Sequence, residues 1–311
     1  GFQPLTLANT PRPTIVRPDQ YVGVSTWSGN GGTQSINVGW RADFVWAKQR
    51  DNTNVASHVL VDSVRGNNKV LRTNGTDAEN AAGIDPAQYD GITNLSSNSF
   101  DVVKGSSGTY NGTNGSGKSY VAWYWKAGGG TGAGGEFWKD NVQYASASAA
   151  GLTAGTITPS GASVNTKSGF SIIAYNSIGT SATVDQIPHG LGTSPAFYIV
   201  KNRDVSDAWW VYHKSLSSPN NKYLNLNTTA AETGSSQYFD STSSILGMRQ
   251  GTVASASNQK IIVYAWAEIP GFSKFGSYTG NGSSSGPFIY TGFKPAFVLI
   301  KNISTSGDAY E

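Results

Sequence analysis

The sequence predicts an all-β protein built of tandem antiparallel β-sandwich or jelly-roll repeats that are joined by Gly/Ser/Pro-rich linkers. The first observation is an internal repeat. Residues 44–51 resemble residues 197–204, and the same spacing separates residues 68–79 from residues 221–232, where seven of twelve residues are identical. The second observation is a set of short alternating apolar runs, and the third is a composition with 38 Gly and 12% aromatic residues. Short strands joined by many turns have this composition, and a repeat constrains the architecture before any single element is considered.

The repeated segment begins a third time at Phe297. Every copy has a Gly five residues before its Phe and a Lys four residues after it. The third copy continues only to Glu311, so we expect the chain to be a piece of a longer polypeptide. The glycines are Gly39, Gly192 and Gly292, and the lysines are Lys48, Lys201 and Lys301.

The repeat divides the chain into expected segments. Residues 1–20 contain four prolines and are expected to be the tail of a preceding domain with a Pro-rich linker. Residues 21–127 and 169–270 are the two full sandwich repeats, and residues 271–311 begin a truncated third. Residues 128–168 form a Gly-rich joint, in which residues 128–135 have the composition of a flexible tether. An aromatic hairpin that contains Phe137, Trp138 and Tyr144 is expected to dock after it, followed by a loose link over residues 145–167.

Each full repeat closes on a strand that is apolar on both faces. These strands are residues 120–126 and 261–266. Side chains alternate between the two faces of a strand, and both faces here have large apolar residues. We therefore expect each strand to be central in its sheet and covered on both sides.

Composition and charge exclude several function classes. Only 13% of the residues are charged and the formal net charge is +3, whereas an average protein has about 25% charged residues. This balance predicts neither a nucleic-acid partner nor an anionic-membrane partner. No cysteine is present, so disulfides and thiolate metal sites are excluded. No apolar run approaches the roughly 20 residues that span a bilayer, so membrane insertion is not expected.

The one complete nucleotide-binding motif match is not predicted to bind phosphate. Residues 112–119 fit the pattern G-x-x-x-x-G-K-S, but a phosphate-binding loop must open a helix. The residues that follow have the composition of a strand, and the second repeat lacks the glycines. We therefore expect a hairpin turn and no nucleotide.

No catalytic or metal-binding set emerges from the remaining polar residues. The three histidines are not closely paired as zinc sites require. Calcium in the loop that contains Asp77, Glu79, Asn80 and Asp85 would match no defined spacing. We expect Glu79 and Glu232 to cap loops, and Asp51 and Asp204 to pair with their neighbours Arg50 and Arg203. The sequence thus predicts no catalytic residues, no metal and no cofactor.

One segment differs between the copies and is the candidate ligand surface. The second repeat has Trp209, Trp210, Tyr212, His213 and Lys214 where the first has mainly small and aliphatic residues. Adjacent tryptophans on a strand lie on opposite faces, so we expect one in the core and one exposed. An exposed indole with neighbouring polar groups stacks on a sugar ring. The alternative is that both tryptophans pack inside the protein.

Several segments resemble the tandem β-domains of tailed-phage virion proteins, in particular the repeats of marine and cyanobacterial phages. The start of the chain is also similar to the end of a lectin-like domain that precedes such repeats. Residues 275–282 with residues 286–293 resemble the next unit of the same array. The family has no catalytic residues to transfer. The segments in the second repeat are residues 169–175, 188–192, 199–203, 210–213 and 223–227.

The resemblance implies a non-enzymatic virion structural protein of a tail fibre, tail appendage or head fibre, assembled in the host cytoplasm and located on the tail or capsid surface. Its expected partners are other virion proteins, copies of itself in a homo-oligomer such as a trimer, and a host-surface glycan. Two alternatives stay open. One is a secreted bacterial carbohydrate-binding or adhesin array, and the other is a glycan depolymerase with a carboxylate pair in a cleft.

Overall fold

A computed structural model of the chain is almost entirely β-structure, with 34% strand and 2% helix, which confirms the all-β prediction. The only helices among the described residues are a 3-10 turn at Pro18–Gln20 and a short α-helix, α1, at Pro86–Tyr89. No helix in this part of the chain is long and apolar enough to cross a membrane. The structure describes residues 13–51, 56–81, 85–107, 112–179, 184–249, 253 and 256–306.

The first half of the chain forms one large and one small antiparallel sheet. The large sheet has the order β1-β8-β3-β4-β5 and the small sheet the order β2-β7-β6. The strands are β1 (Val22–Ser28), β2 (Thr33–Asn37), β3 (Phe44–Gln49), β4 (Val59–Asp62), β5 (Leu71–Arg72), β6 (Gly91–Leu95), β7 (Ser99–Val103) and β8 (Ser119–Trp125).

The second half repeats this arrangement and extends it. Its small sheet has the order β13-β18-β17, and its large sheet the order β10-β9-β11-β12-β19-β14-β15-β16. The strands are β9 (Phe137–Lys139), β10 (Val142–Tyr144), β11 (Gly161–Asn165), β12 (Phe170–Asn176), β13 (Val184–Pro188), β14 (Phe197–Asn202), β15 (Trp210–His213), β16 (Leu224–Asn225), β17 (Phe239–Ser241), β18 (Ile245–Arg249) and β19 (Lys260–Trp266).

The two halves share strand order and register. From β12 onward, the second large sheet has the order β12-β19-β14-β15-β16, which corresponds strand for strand to β1-β8-β3-β4-β5. Trp125 lies opposite Phe44, and Trp266 lies opposite Phe197, at the same position in each sheet. The repeated sequence therefore corresponds to a repeated strand topology.

Within each half, the large and small sheets face each other across an apolar core. In the first half the core combines residues of the large sheet, such as Val45 and Tyr120, with residues of the small sheet, such as Phe100. In the second half, Tyr198 of β14 lies in one core with Leu246 of β18. Fully burying a large apolar side chain contributes about 1.5–3 kcal/mol, so these facing sheets hold each half together.

The outer faces of the two large sheets pack against each other and form what we call the inter-repeat core. Strands β8 and β19 therefore have both faces covered, as their sequences predict. Half-buried residues of the C-terminal segment (residues 271–306), among them Phe275, Phe297 and Ile303, also pack on this core. The inter-repeat core consists of Phe44, Trp46, Leu60, Val64, Leu71, Trp125, Ala127, Phe170, Ile172, Ala174, Ile199, Trp209, Val211, Leu216, Leu224, Ile262, Tyr264 and Trp266.

The Gly-rich run is a packed element and not the expected tether. Gly128 and Gly130 are buried, and a Cβ at Gly128 would lie 2.4 Å from the carbonyl oxygen of Val164. The backbone can pass this closely because glycine has no side chain. The predicted hairpin is present as β9 and β10, with Asp140 and Asn141 at φ 51° and 68° in its turn, as two-residue hairpin turns require.

The expected loose link after the hairpin contains β11, which is buried along its whole length. β11 pairs parallel with β9 and antiparallel with β12, so one parallel pair lies within a sheet otherwise paired antiparallel. Its small side chains, Ala162 and Ser163 among them, fit between neighbouring layers. Their low hydrophobicity is why composition alone indicated a loop.

The described residues near the two ends of the chain, 13–21 and 271–306, contain no strand. Residues 1–12, which include most of the expected linker, lie outside the described residues, while Ile15 is buried. Residues 271–306 contain turns and no strand, although Phe297 begins the third copy of the repeated segment. In the motif with the phosphate-loop pattern, residues 112–118 form turns and lead into β8. A strand, and not a helix, follows that motif, as expected.

Candidate functional site

Trp209, the first residue of the predicted ligand surface, is a core residue. It is 0% exposed and lies in the inter-repeat core. Its Nε1–H donates to the carbonyl oxygens of Arg72 at 2.9 Å and Gly75 at 3.1 Å. This side chain therefore joins the two repeats and offers no exposed face to a ligand.

Trp210 lies on the opposite face of the sheet, as alternation predicts. It is half-buried, and its Nε1–H donates to Asp207 at 3.2 Å. The indole packs at 4.4 Å from Tyr223 and 6.3 Å from Tyr238, between ring centroids. Tyr212 is on the same face but is buried and stacked on Tyr198 at 4.5 Å.

The two polar residues of the predicted surface point elsewhere. His213 accepts a hydrogen bond from the Ser215 amide at 3.0 Å, and its ring lies between Phe197 and Phe275. Lys214 pairs with Glu268 at 2.6 Å. The five residues thus do not form one surface. Trp209 and Tyr212 are buried and cannot stack on a sugar. The rings of Trp210 and His213 are partly exposed, and ligand binding by them stays a prediction.

A buried charge cluster joins the two repeats where Glu79 was expected to cap a loop. Arg203 donates from Nε and Nη2 to the Glu79 carboxylate at 2.9 and 2.8 Å. Arg65 donates from Nη1 to Glu79 at 3.1 Å and from Nε to Asp62. Tyr264 donates its hydroxyl to Asp62 at 2.6 Å. The cluster therefore connects residues of both repeats through charged hydrogen bonds, which are stronger than neutral ones.

The electrostatics of the cluster favour its charged form. Burial works to raise the pKa of Glu79, but Arg65 and Arg203 outweigh it, so that pKa lies below its usual value. Burial likewise opposes the charge of Arg65, and Asp62 with Glu79 overcomes it and raises the arginine pKa. Buried charges persist only when paired in this way.

The other acidic residues also have partners that the sequence did not indicate. Asp204 accepts from the Lys260 amide at 2.7 Å, not from Arg203. Asp51 accepts from Gln49 at 2.9 Å and from the Ser119 amide at 2.8 Å. Within the described residues, no group of three or more potential His, Asp or Glu ligands is arranged for a metal ion.

The contact between the first and second repeats recurs between the second repeat and the C-terminal segment. The Glu79 amide donates to Arg203 O at 2.8 Å, and the equivalent Glu232 amide donates to Ile303 O at 3.1 Å. The repeated lysines behave alike. Lys201 Nζ donates to Thr76 O at 3.0 Å and Lys301 Nζ to Thr228 O at 2.9 Å. Each unit thus docks on the loop of the unit before it.

Burial lowers the pKa of both lysines at these junctions. Lys201 is 0% exposed, and burial lowers its pKa to about 8, while burial also lowers the pKa of Lys301. Ile303 stands where the second repeat has Arg203, so Glu232 has no arginine at this contact and instead accepts from Ser217. The docking geometry is shared between the two junctions, and only the first has the charge cluster.

The first residue of each copy contacts the inter-repeat core. Phe44 lies 6.0 Å from Trp266 of the second repeat, and Phe297 lies 5.1 Å from Trp125 of the first, between ring centroids. Phe197 contacts Phe275 of the C-terminal segment at 5.8 Å. Contacts therefore run from the first copy to the second, from the second to the third, and from the third back to the first.

Two histidines are buried in structural positions. Burial lowers the pKa of both His58 and His189 to about 4. His189 accepts from the Leu191 amide through Nδ1 at 3.2 Å, and its Nε2 lies 3.2 Å from the carbonyl oxygen of Thr242. With Nδ1 as acceptor, Nε2 is the protonated nitrogen and donates to Thr242. The neutral ring therefore holds a turn.

An open cleft of about 500 Å³ lies where loops of the first repeat meet the hairpin β9–β10. Trp40 enters it from the β2–β3 loop and Trp138 from β9, and both side chains are half-buried. Trp40 Nε1 donates to Asp19 O at 2.8 Å, and its ring lies 5.3 Å from Tyr124. A second depression of about 250 Å³ is lined by neither aromatic nor charged side chains.

The walls of this cleft are cationic. Arg41 and Lys126 line it, and no carboxylate does. Arg41 Nη1 donates to Leu95 O, which anchors the guanidinium. Beneath them, Asp43 is fully buried, and burial raises its pKa to about 6 against the opposing effects of the Ala127 amide and Arg41.

Sequence comparison of the repeats contained a signal for this cleft. Trp40 follows the repeated Gly39, at the position where Thr193 follows Gly192 in the second repeat. Trp209 and Trp210 likewise stand where the other repeat has smaller residues. This difference between the repeats did not distinguish a buried indole from one that lines a cleft, since both replace smaller residues.

The chain matches the family described as Domain of unknown function (DUF7483) over residues 17–310, and it belongs to that family. No curated protein matched the chain. The match includes both full repeats and almost the whole C-terminal segment, so the docked units occur within one family domain.

Proposed function

We propose that the chain is a non-enzymatic structural module of a tailed-phage virion, in a tail fibre, tail appendage or head fibre, and that it contributes to attachment to a host-surface glycan. The sequence resemblance to tandem virion β-domains is the reason for proposing a phage virion. Its partners would be other virion proteins and copies of itself, on the tail or capsid surface.

The observation that carries this proposal is the recurring contact between units. Lys201 and Lys301 each reach a carbonyl of the preceding unit, and Glu79 and Glu232 each donate a backbone hydrogen bond to the following one. Head-to-tail contacts of one kind repeat along an assembly. Repeated docking of this kind suits a structural module of an appendage.

The arrangement of three copies round one core favours a fibre. Phe44 lies in the inter-repeat core, and Phe197 and Phe297 pack against it. Fibres are usually oligomeric and often trimeric. The proposed homo-oligomer rests on analogy with the phage proteins that the sequence resembles. The same fold could serve a secreted carbohydrate-binding array, so location is the discriminating property.

Mass spectrometry of gradient-purified virions tests the proposal. We expect peptides of this chain to copurify with the particles in stoichiometric amounts. Their presence only in the culture supernatant, free of particles, would contradict the virion role. Release of oligosaccharides from a host polysaccharide by the purified chain would contradict the non-enzymatic part.

A further inference from the structure

We propose that the cleft between Trp40 and Trp138 binds a short acidic oligosaccharide, such as a run of uronic acid residues. This inference deepens the proposed attachment function, on which it rests for its biological meaning. Binding by the purified chain is nevertheless measurable without any knowledge of where the chain lies in a particle.

The two indoles offer apolar ring surface to the C–H face of a sugar. The Nε1–H of Trp40 is already bonded to Asp19 O. The Nε1–H of Trp138 is buried, with no acceptor among the described residues. Both rings therefore present carbon, not a donor, to the cleft. Aromatic contacts of this type contribute about 0.5–1.5 kcal/mol each beyond the buried area.

Both rings are held in place in the structure. Trp40 packs on Tyr124 in addition to its hydrogen bond, and Trp138 packs on the Gly-rich run. A Cβ at Gly129 would lie 2.7 Å from Cε3 of Trp138, so a side chain there would displace the indole. Groups that are fixed before binding lose little conformational entropy when a ligand arrives.

The charges determine the class of saccharide. Arg41 has one donor engaged by Leu95 O, and a guanidinium has five donors. It is thus anchored while keeping donors for a ligand carboxylate. Lys126 forms no salt bridge with any residue in the described part of the chain. A neutral sugar would cover these cations without replacing their water, which is unfavourable.

Asp43 and Glu136 lie near the cleft but do not line it. Asp43 is fully buried and interacts electrostatically with Arg41 and Lys126, and both cations still line the cleft. Glu136 accepts from the Thr131 amide at 2.7 Å, from the Thr131 hydroxyl at 2.9 Å and from Gln143 at 3.1 Å. Its carboxylate therefore accepts from neutral donors, of which Thr131 lines the cleft, and Glu136 itself is not a lining residue. The cleft volume of about 500 Å³ lies within the roughly 300–1,000 Å³ of small-molecule sites, which suits a few sugar rings.

Isothermal titration of the full chain with tetragalacturonate tests the proposal. Maltotetraose is the neutral probe, and tetraglutamate is the anion without sugar rings. We expect tetragalacturonate to bind at least about tenfold more tightly than either. Trp40→Ala should weaken binding about 3- to 10-fold. Lys126→Gln should weaken it about 2- to 5-fold and reduce its salt dependence.

Matched variants outside the cleft control for general effects. Lys69→Gln removes an exposed cation, and Trp123→Ala removes a half-buried indole that does not line the cleft. Both should leave tetragalacturonate affinity unchanged, with folding checked by circular dichroism. If Trp40→Ala does not fold, Lys126→Gln decides.

Three results would overturn the inference: no binding by the wild-type chain, equal binding of tetraglutamate, or equal losses in cleft and control variants. Absence of the chain from virions would instead refute the proposed function and leave the cleft result standing.

Discussion

Replacing Glu79 with Gln removes the charge at the centre of the cluster that joins the two repeats. The carboxylate accepts hydrogen bonds from Arg65 and from both Nε and Nη2 of Arg203. Its side chain is only 11% exposed, and those of Arg65 and Arg203 are 0% and 12% exposed. Arg203 would then lose its carboxylate partner, while Arg65 would keep Asp62. Breaking a buried charge pair costs roughly 3–5 kcal/mol, and Gln retains part of the hydrogen bonding, so we expect a loss of about 3 kcal/mol.

The second repeat provides the matched control. Glu232 has the equivalent backbone contact, but its carboxylate accepts from Ser217 at the surface. Glu232→Gln should therefore cost less than about 1 kcal/mol. Equilibrium unfolding in urea, followed by tryptophan fluorescence, measures both variants against the wild type.

The same cluster predicts a dependence on pH. The folded pKa of Glu79 lies below its unfolded value. Its contribution is therefore fully present above the unfolded pKa and is lost as pH falls through the folded pKa. Glu79→Gln should remove that part of the acid sensitivity. Equal costs for Glu79→Gln and Glu232→Gln, with unchanged acid sensitivity, would refute the reasoning.

Three further predictions concern single residues. Trp209→Ala should destabilise the fold by about 3–5 kcal/mol in the same assay, because it empties a fully buried site; a loss below about 1 kcal/mol would contradict its core position. His189 has a pKa of about 4 when folded against about 6.5 unfolded. The free energy of unfolding should therefore fall by about 3 kcal/mol from this residue as pH drops from the unfolded to the folded pKa. Asp43, with a pKa of about 6, acts in the opposite direction, so the test compares the pH profiles of wild type and His189→Gln, which should differ by that amount. Gly128→Ala places a Cβ 2.4 Å from a backbone oxygen and should cost more than about 2 kcal/mol, whereas Gly276→Ala, with open space around it, should be nearly neutral by thermal melting.

Local sequence patterns were sufficient for the strands that lie at the centre of each large sheet. Side chains on a strand point alternately to its two faces. In β8 and β19 both sets are apolar, which predicted strands covered on both sides. The repeat itself also predicted equivalent units. Strand β11 could not be predicted in this way, because Ala162, Ser163 and Val164 are small side chains. Their burial depends on the neighbouring hairpin and on β12.

The candidate sites depend on contacts between residues distant in sequence. Glu79 and Arg203 are separated by 124 positions, and nothing local indicates that they meet. Trp209 is likewise buried because the two large sheets pack against each other. Trp40 was detectable as a difference between the copies. Its partner Trp138 belongs to a different segment, so the cleft required the fold.

An engineered disulfide tests the docking of the two repeats most directly. The chain contains no cysteine, and the hydroxyls of Thr76 and Ser206, one from each repeat, are 2.9 Å apart at the surface. A disulfide forms only where two side chains point at each other at close range, and this hydrogen bond places both side chains in that way. Thr76→Cys with Ser206→Cys should therefore oxidise to an intramolecular bond under native conditions and increase the free energy of unfolding. Thiols that stay reduced in the folded protein, or that link only between chains, would contradict the docked arrangement.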